Sequence, residues 1–128
     1  MRFQMPHFPT EFEIADDWLD EAGFRAFRPA SQAFVSTSEA LLIPLTAIEP
    51  VARFVAHPKD GRGFDRKRLV SVLKGIISGA VIEPVPVTEV PYIDLDPSPY
   101  RFRVHDGFHR FYASIAAGFE ALPTIQQT

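Results

Sequence analysis

The chain has 128 residues, 46% of them hydrophobic and 23% charged, with no cysteine and a formal net charge of −3. That length fits one globular domain with a real core, and the missing thiols exclude zinc ribbons, thiol catalysis and disulfide scaffolds. No apolar run reaches the ~18 residues of a membrane span, the start lacks the basic-then-apolar layout of a signal peptide, and the charge balance gives no global pull toward nucleic acid or an anionic membrane, so a cytoplasmic protein with no membrane partner is expected.

The first forty residues are unusually aromatic, with Phe3, Phe8, Phe12, Trp18, Phe24, Phe27 and Phe34. Within them, residues 11–14 read as a strand and 16–22 as one or two helical turns stopped by Gly23. Rings at this density are expected to pack as core; the alternative is an exposed arm that docks on a protein partner. Residues 41–48 form a compact apolar run of strand formers, in which Pro44 points to an edge or an early strand position.

Basic residues concentrate in the middle of the chain. Arg53, Lys59, Arg62, Arg66, Lys67, Arg68 and Lys74 lie in a glycine-containing loop and the helix that follows it. That helix is read from the spacing of Leu69, Val70, Val72, Leu73, Ile76 and Ile77, with Asp65 as N-cap and Gly79 as stop. Cations in its first turn oppose the helix dipole. A bound polyphosphate would offset them, which makes Arg53, Lys59 and Arg62 candidates for its far end.

Residues 81–90 read as extended chain, because proline cannot sit inside a helix and the rest is largely β-branched. A proline-bounded loop follows, in which Asp94 and Asp96 are expected to be solvated. Residues 100–105 alternate apolar and polar with the period of a half-buried strand. A second helix then begins, with Asp106 as N-cap, a buried face of Phe108, Phe111, Tyr112, Ile115 and Ala116, and Gly118 as stop. Residues 122–125 close the chain as a short strand. The sum is an α/β (α+β) domain.

The chemistry-bearing segment is Val104-His105-Asp106-Gly107-Phe108-His109-Arg110, where a strand ends and a helix starts. The first turn of a helix leaves backbone N–H groups unpaired at the positive end of the dipole; a glycine there lets a phosphate approach, and an arginine adds a fork of donors. Gly107, His109 and Arg110 fit that arrangement, and Asp106 can cap the helix, orient His109 or contact a hydrated Mg²⁺. The other reading is a structural turn, in which Asp-Gly caps the helix, His109 meets a backbone group and Arg110 a surface carboxylate. His105, Asp106 and His109 do not share a helix face, so their spacing argues against a metal set of their own.

The run from Asp106 to Pro123 resembles the ParB/sulfiredoxin-like superfamily, whose signature is a strand, a Gly-x-His-Arg or Gly-x-Arg-Arg turn, a helix ending in glycine and an Ile/Leu-Pro strand. The upstream order is similar too: a strand with a proline near its end at 45–50, a loop with arginine, a helix opening at Asp65, and a Pro-x-x-Val strand at 84–87. The resemblance covers about 42–125. It implies a small mixed sheet with two main helices over 41–128, with residues 1–40 as an aromatic-rich amino-terminal extension packed on that core.

For function, the resemblance implies binding of a nucleoside tri- or diphosphate, ATP or CTP with Mg²⁺, at the 106–110 turn, with hydrolysis or phosphoryl transfer as its chemistry. His109 and Asp106 would then be the catalytic residues, Asp106 the Mg²⁺ contact, and Gly107, His109 and Arg110 the phosphate ligands, with Arg53, Lys59 and Arg62, selected by their charge, at the far end. Neither zinc nor haem is expected. The chain departs from the family's branches in identifiable ways. Phe108 stands where sulfiredoxins have their cysteine, and no helix-turn-helix reader of partition proteins follows in the 128 residues. Val51, Ala52 and Arg53 stand where free-serine kinases place a glutamate base after the strand's proline. Two rival readings remain: a metal-dependent ParB-like nuclease using Asp106, with the basic middle third along a phosphodiester backbone, and a non-catalytic interaction module.

Overall fold

A computed structural model of the chain describes residues 1–6, 11–50, 64–90 and 100–127. Two short strands, β1 (Arg2–Gln4) and β2 (Glu11–Glu13), pair antiparallel with Phe3 opposite Phe12. Helix α1 (Asp16–Ala22) follows and ends, as its glycine predicts, with Gly23 left-handed at φ 70°. Strand β3 (Leu41–Pro44) leads into a 3-10 turn over Leu45–Ala47. Helix α2 (Arg66–Ser78), strands β4 (Val85–Glu89) and β5 (Phe102–Val104), helix α3 (Phe108–Ala117) and strand β6 (Ala121–Gln126) complete the order. Among the described residues no helix is long and apolar enough to cross a membrane.

The main sheet runs β3-β6-β4-β5 and is mixed: β4 and β6 are parallel, and the other two pairs are antiparallel. Ile48 bridges Phe102 in parallel, Arg101 N–H donates to the Ala47 carbonyl, and Glu49 N–H donates to the Phe102 carbonyl. The chain thus leaves one edge of the sheet at Pro44 and reaches the other edge four residues later. Four strand spacings in a flat sheet would span about 19 Å, whereas four residues reach at most ~14 Å, so the sheet is curled. The Arg103–Glu49 ion pair, at 2.6 Å, lies across this junction.

One apolar core holds Phe12, Ile14, Leu19 and Phe24 from the first forty residues together with Leu69, Leu73, Phe111 and Leu122. Helix α1 packs on α2, α2 on α3, and α3 on β6 and β1. Of the amino-terminal rings, Phe12, Phe24 and Phe34 are buried, and Phe3, Trp18 and Phe27 pack half-buried against the core; Phe8 lies outside the described residues.

Three local expectations change. The run at 41–48 is strand only to Pro44, after which the chain turns to reach β5. The pairing of β1 on β2 gives residues 2–4 a strand that their own sequence does not signal. The buried face of α3 is Phe111, Tyr112, Ala113, Ser114 and Ala117, while Phe108, Ile115 and Ala116 are half-buried. This helix packs against both β6 and α2, so its buried face is wider than one apolar stripe.

Candidate phosphate site at the start of the third helix

Gly107, not Asp106, is the N-cap of α3: its φ is 171°, and no side chain caps the helix. The glycine is required by packing. A Cβ at Gly107 would lie 2.5 Å from Val85 Cγ1 and 3.1 Å from Cγ2, and Val85 is fully buried in β4. Its carbonyl accepts the first helical bond, from Phe111 N–H at 2.8 Å. Asp106 is exposed, and its backbone carbonyl accepts from Arg110 Nη2.

Arg110 is held by backbone. Its Nη1 donates to the carbonyls of Glu83 at 2.9 Å and Pro84 at 3.2 Å, so with the Asp106 bond the guanidinium ties the start of α3 to the segment entering β4. These bonds use three of its five N–H groups. The expected surface carboxylate partner is replaced by carbonyls of a proline-rich stretch.

His109 accepts a 3.0 Å hydrogen bond at Nε2 from the backbone N–H of Asp65, the N-cap of α2. As acceptor, Nε2 is unprotonated and the ring proton is on Nδ1. Rings pack around the imidazole: Phe64 at 6.1 Å and Phe108 at 5.2 Å between centroids, with Phe108 stacked on Phe64 at 5.3 Å. His105, by contrast, is exposed and meets Thr88 Oγ1 at 2.7 Å from its Nε2.

Through His109 the structure brings together the starts of α2 and α3. At α2 the Asp65 side chain accepts from Lys67 N–H at 3.2 Å, and Arg68 lies 3.5 Å from the same carboxyl group. Arg66 turns toward α1, pairing with Glu21 at 2.9 Å and Asp17 at 3.3 Å, and lies over the Trp18 ring. Arg66 is therefore balanced by acids of α1 and Arg68 by the cap carboxylate, so a polyphosphate is not needed to offset these two cations. Arg53, Lys59 and Arg62 lie outside the described residues, as do Asp94 and Asp96.

No family model matches the chain, and no curated protein matches it. The structure is similar to sulfiredoxin from Arabidopsis thaliana. The two share 18% identity over 70% of this chain and 84% of that one, with a TM-score of 0.48. A likeness of that degree assigns no chemistry to this chain.

A small apolar cleft is lined by Met5, Pro6, Leu45, Ile48, Pro50, Tyr100 and Phe111, none of them a residue of the candidate site. Burial, and secondarily the negative Glu49, raises the Tyr100 phenol above its ordinary value. Among the described residues, no group of three or more His, Asp or Glu side chains is arranged to hold a metal, so Asp106 is in no such set. The partners that sequence reasoning missed, Asp65 N–H for His109, the 83–84 carbonyls for Arg110 and Val85 for Gly107, are all more than twenty residues away. One local signal did exist: in Glu83-Pro84-Val85-Pro86 the two prolines carry no N–H, so a carbonyl-rich strand entry was legible.

Proposed function

We propose that this domain binds a nucleoside tri- or diphosphate, with its phosphates at the first turn of α3 and Mg²⁺ with ATP or CTP as the form to test first. One observation carries this reading: two helix starts converge at His109, and α3 has neither a side-chain cap nor an acid in its first turn. Helix N-termini attract anions, and two facing one place reinforce each other. In this reading the amides after Gly107 cradle a phosphate and Arg110, already fixed by three carbonyls, presents its remaining N–H groups. His109 contacts the phosphate, and Asp106 meets the hydrated Mg²⁺. Arg53, Lys59 and Arg62, in the segment of sequence that precedes Asp65, are the ligands proposed for the far end of the polyphosphate. Hydrolysis or phosphoryl transfer follows the same logic, since such catalysis is mostly positioning and charge neutralisation.

Thermal shift and calorimetry with ATP, CTP, GTP and their diphosphates, with and without Mg²⁺, test this reading, because a ligand that prefers the folded state raises its stability by mass action. Binding of one nucleotide is expected, weakened by charge reversal at Arg53, Lys59 and Arg62; inorganic phosphate release measures turnover. If no nucleotide binds the folded protein, the reading falls.

A second reading, a structural turn in a non-catalytic module, draws support from the same bonds, since His109, Arg110 and Gly107 all have backbone or packing reasons to be there. Its docking arm is less favoured, because the described amino-terminal rings are in or against the core. The nuclease reading would need a metal set around Asp106 beyond the described groups.

A further inference from the structure

We infer that His109 is a pH-operated latch between the starts of α2 and α3. The bond from Asp65 N–H exists only while Nε2 keeps its lone pair. A proton on Nε2 sets a donor against a donor: the N-cap amide of α2 loses its partner, and the hydrogen bond between the two helix starts is broken, leaving the Phe64–Phe108 ring contact beside it. Asp65 lies 44 residues from His109 in sequence, so the latch joins distant segments.

Among the described residues, the acids of α1 and α2 near the two helix starts are engaged by other groups. On α2, the Asp65 carboxylate is engaged by Lys67 N–H and Arg68, while Arg66, Lys67 and Arg68 are cations. Asp17 and Glu21 of α1 are engaged by Arg66. On α3, Arg110 is one residue away and Asp106 is exposed at the entry to the helix; β1, which packs on α3, brings Arg2. Phe64 and Phe108 supply apolar surface rather than a counter-charge. An imidazolium would also stand at the positive ends of two helix dipoles.

The sign follows. The folded state holds the neutral ring, whereas the unfolded chain takes up the proton in the ordinary histidine range near about pH 6.5. The latch's stabilisation is therefore full above that range and is lost as pH falls through it. The inference does not depend on a bound nucleotide, and its test uses the free protein, so it stands or falls separately from the proposed function.

The test compares unfolding temperatures of the wild-type chain and His109→Gln from about pH 7.5 to about 5.5, together with an NMR titration of the wild type. Glutamine can accept from Asp65 N–H through Oε1 but does not titrate, so its profile subtracts His7, His57, His105 and the carboxylates. The wild-type Tm is expected to fall by about 3 °C more than that of the variant. The Asp65 amide signal is expected to move with the same midpoint as the His109 ring. Parallel Tm profiles, or an Asp65 amide that ignores the His109 midpoint, would overturn the inference; should the variant not fold, the wild-type titration alone decides.

Discussion

Helices α2 and α3 end alike and begin differently. Both stop at a left-handed glycine, Gly79 at φ 71° and Gly118 at φ 82°. At its start, α2 is closed by its own Asp65 carboxylate and by His109, whereas α3 opens from a glycine without a side-chain cap. The cause is packing on β4, since Val85 leaves no room for a Cβ at residue 107. A close strand-to-helix approach thus removes the side chain that would cap the helix, and leaves its amides to an acceptor from outside the turn. An open helix start is here a by-product of core geometry, and that same openness is what the proposed phosphate would use.

The contrast can be broken from either side. The largest effect is expected for Gly107→Ala, which forces a methyl into Val85 and should cost about 2 to 3 kcal/mol in urea unfolding; much of the loss should be recovered in combination with Val85→Ala, and a neutral single variant would remove packing as the reason for the glycine. Next comes Arg110→Ala, which leaves the carbonyls of 83, 84 and 106 without their shared donor and should lower stability by about 1 to 2 kcal/mol.

Asp65→Ala should cost about 1 kcal/mol and Asp65→Ser little, the signature of a cap; equal losses would mean that the carboxylate acts through charge instead. Removing Arg66 should matter least among these, below about 0.5 kcal/mol and less in high salt, because its pairs with Asp17 and Glu21 are exposed. Asp16 marks the acid limb. The amino-terminal ammonium hydrogen-bonds it at 2.9 Å, which lowers its carboxyl below the ordinary value, with Arg25 adding to the effect. The stability tied to it is present above the carboxylate range and lost as pH falls through it, so Asp16→Asn should flatten the acid end of a pH–stability profile.

Much of the fold is legible locally. The start of α2 at Asp65, the glycine stops of all three helices and the strand alternation at 102–104 each depend on residues within one turn of one another. The candidate site is only half legible. Gly107, His109 and Arg110 can be selected from the sequence because a glycine, an imidazole and a guanidinium at a strand-to-helix turn are unusual together. Their partners cannot, because Asp65, Glu83, Pro84 and Val85 reach them only after the sheet has formed and α2 has docked on α3. The misread face of α3 has the same origin: periodicity locates an apolar stripe, but the width of the buried face depends on how many neighbours cover the helix.

By itself, the sequence determined where the helices stop and where α2 starts, that rings rather than thiols fill the interior, and which turn carries the unusual side chains; these follow from dihedral preferences, hydrophobic period and composition. Tertiary structure alone decided that the sheet curls so that Ile48 meets Phe102, that residue 107 must lack a side chain because of Val85, and that His109 joins the starts of two helices. Those outcomes are set by contacts between segments tens of residues apart, whose distances no local preference encodes.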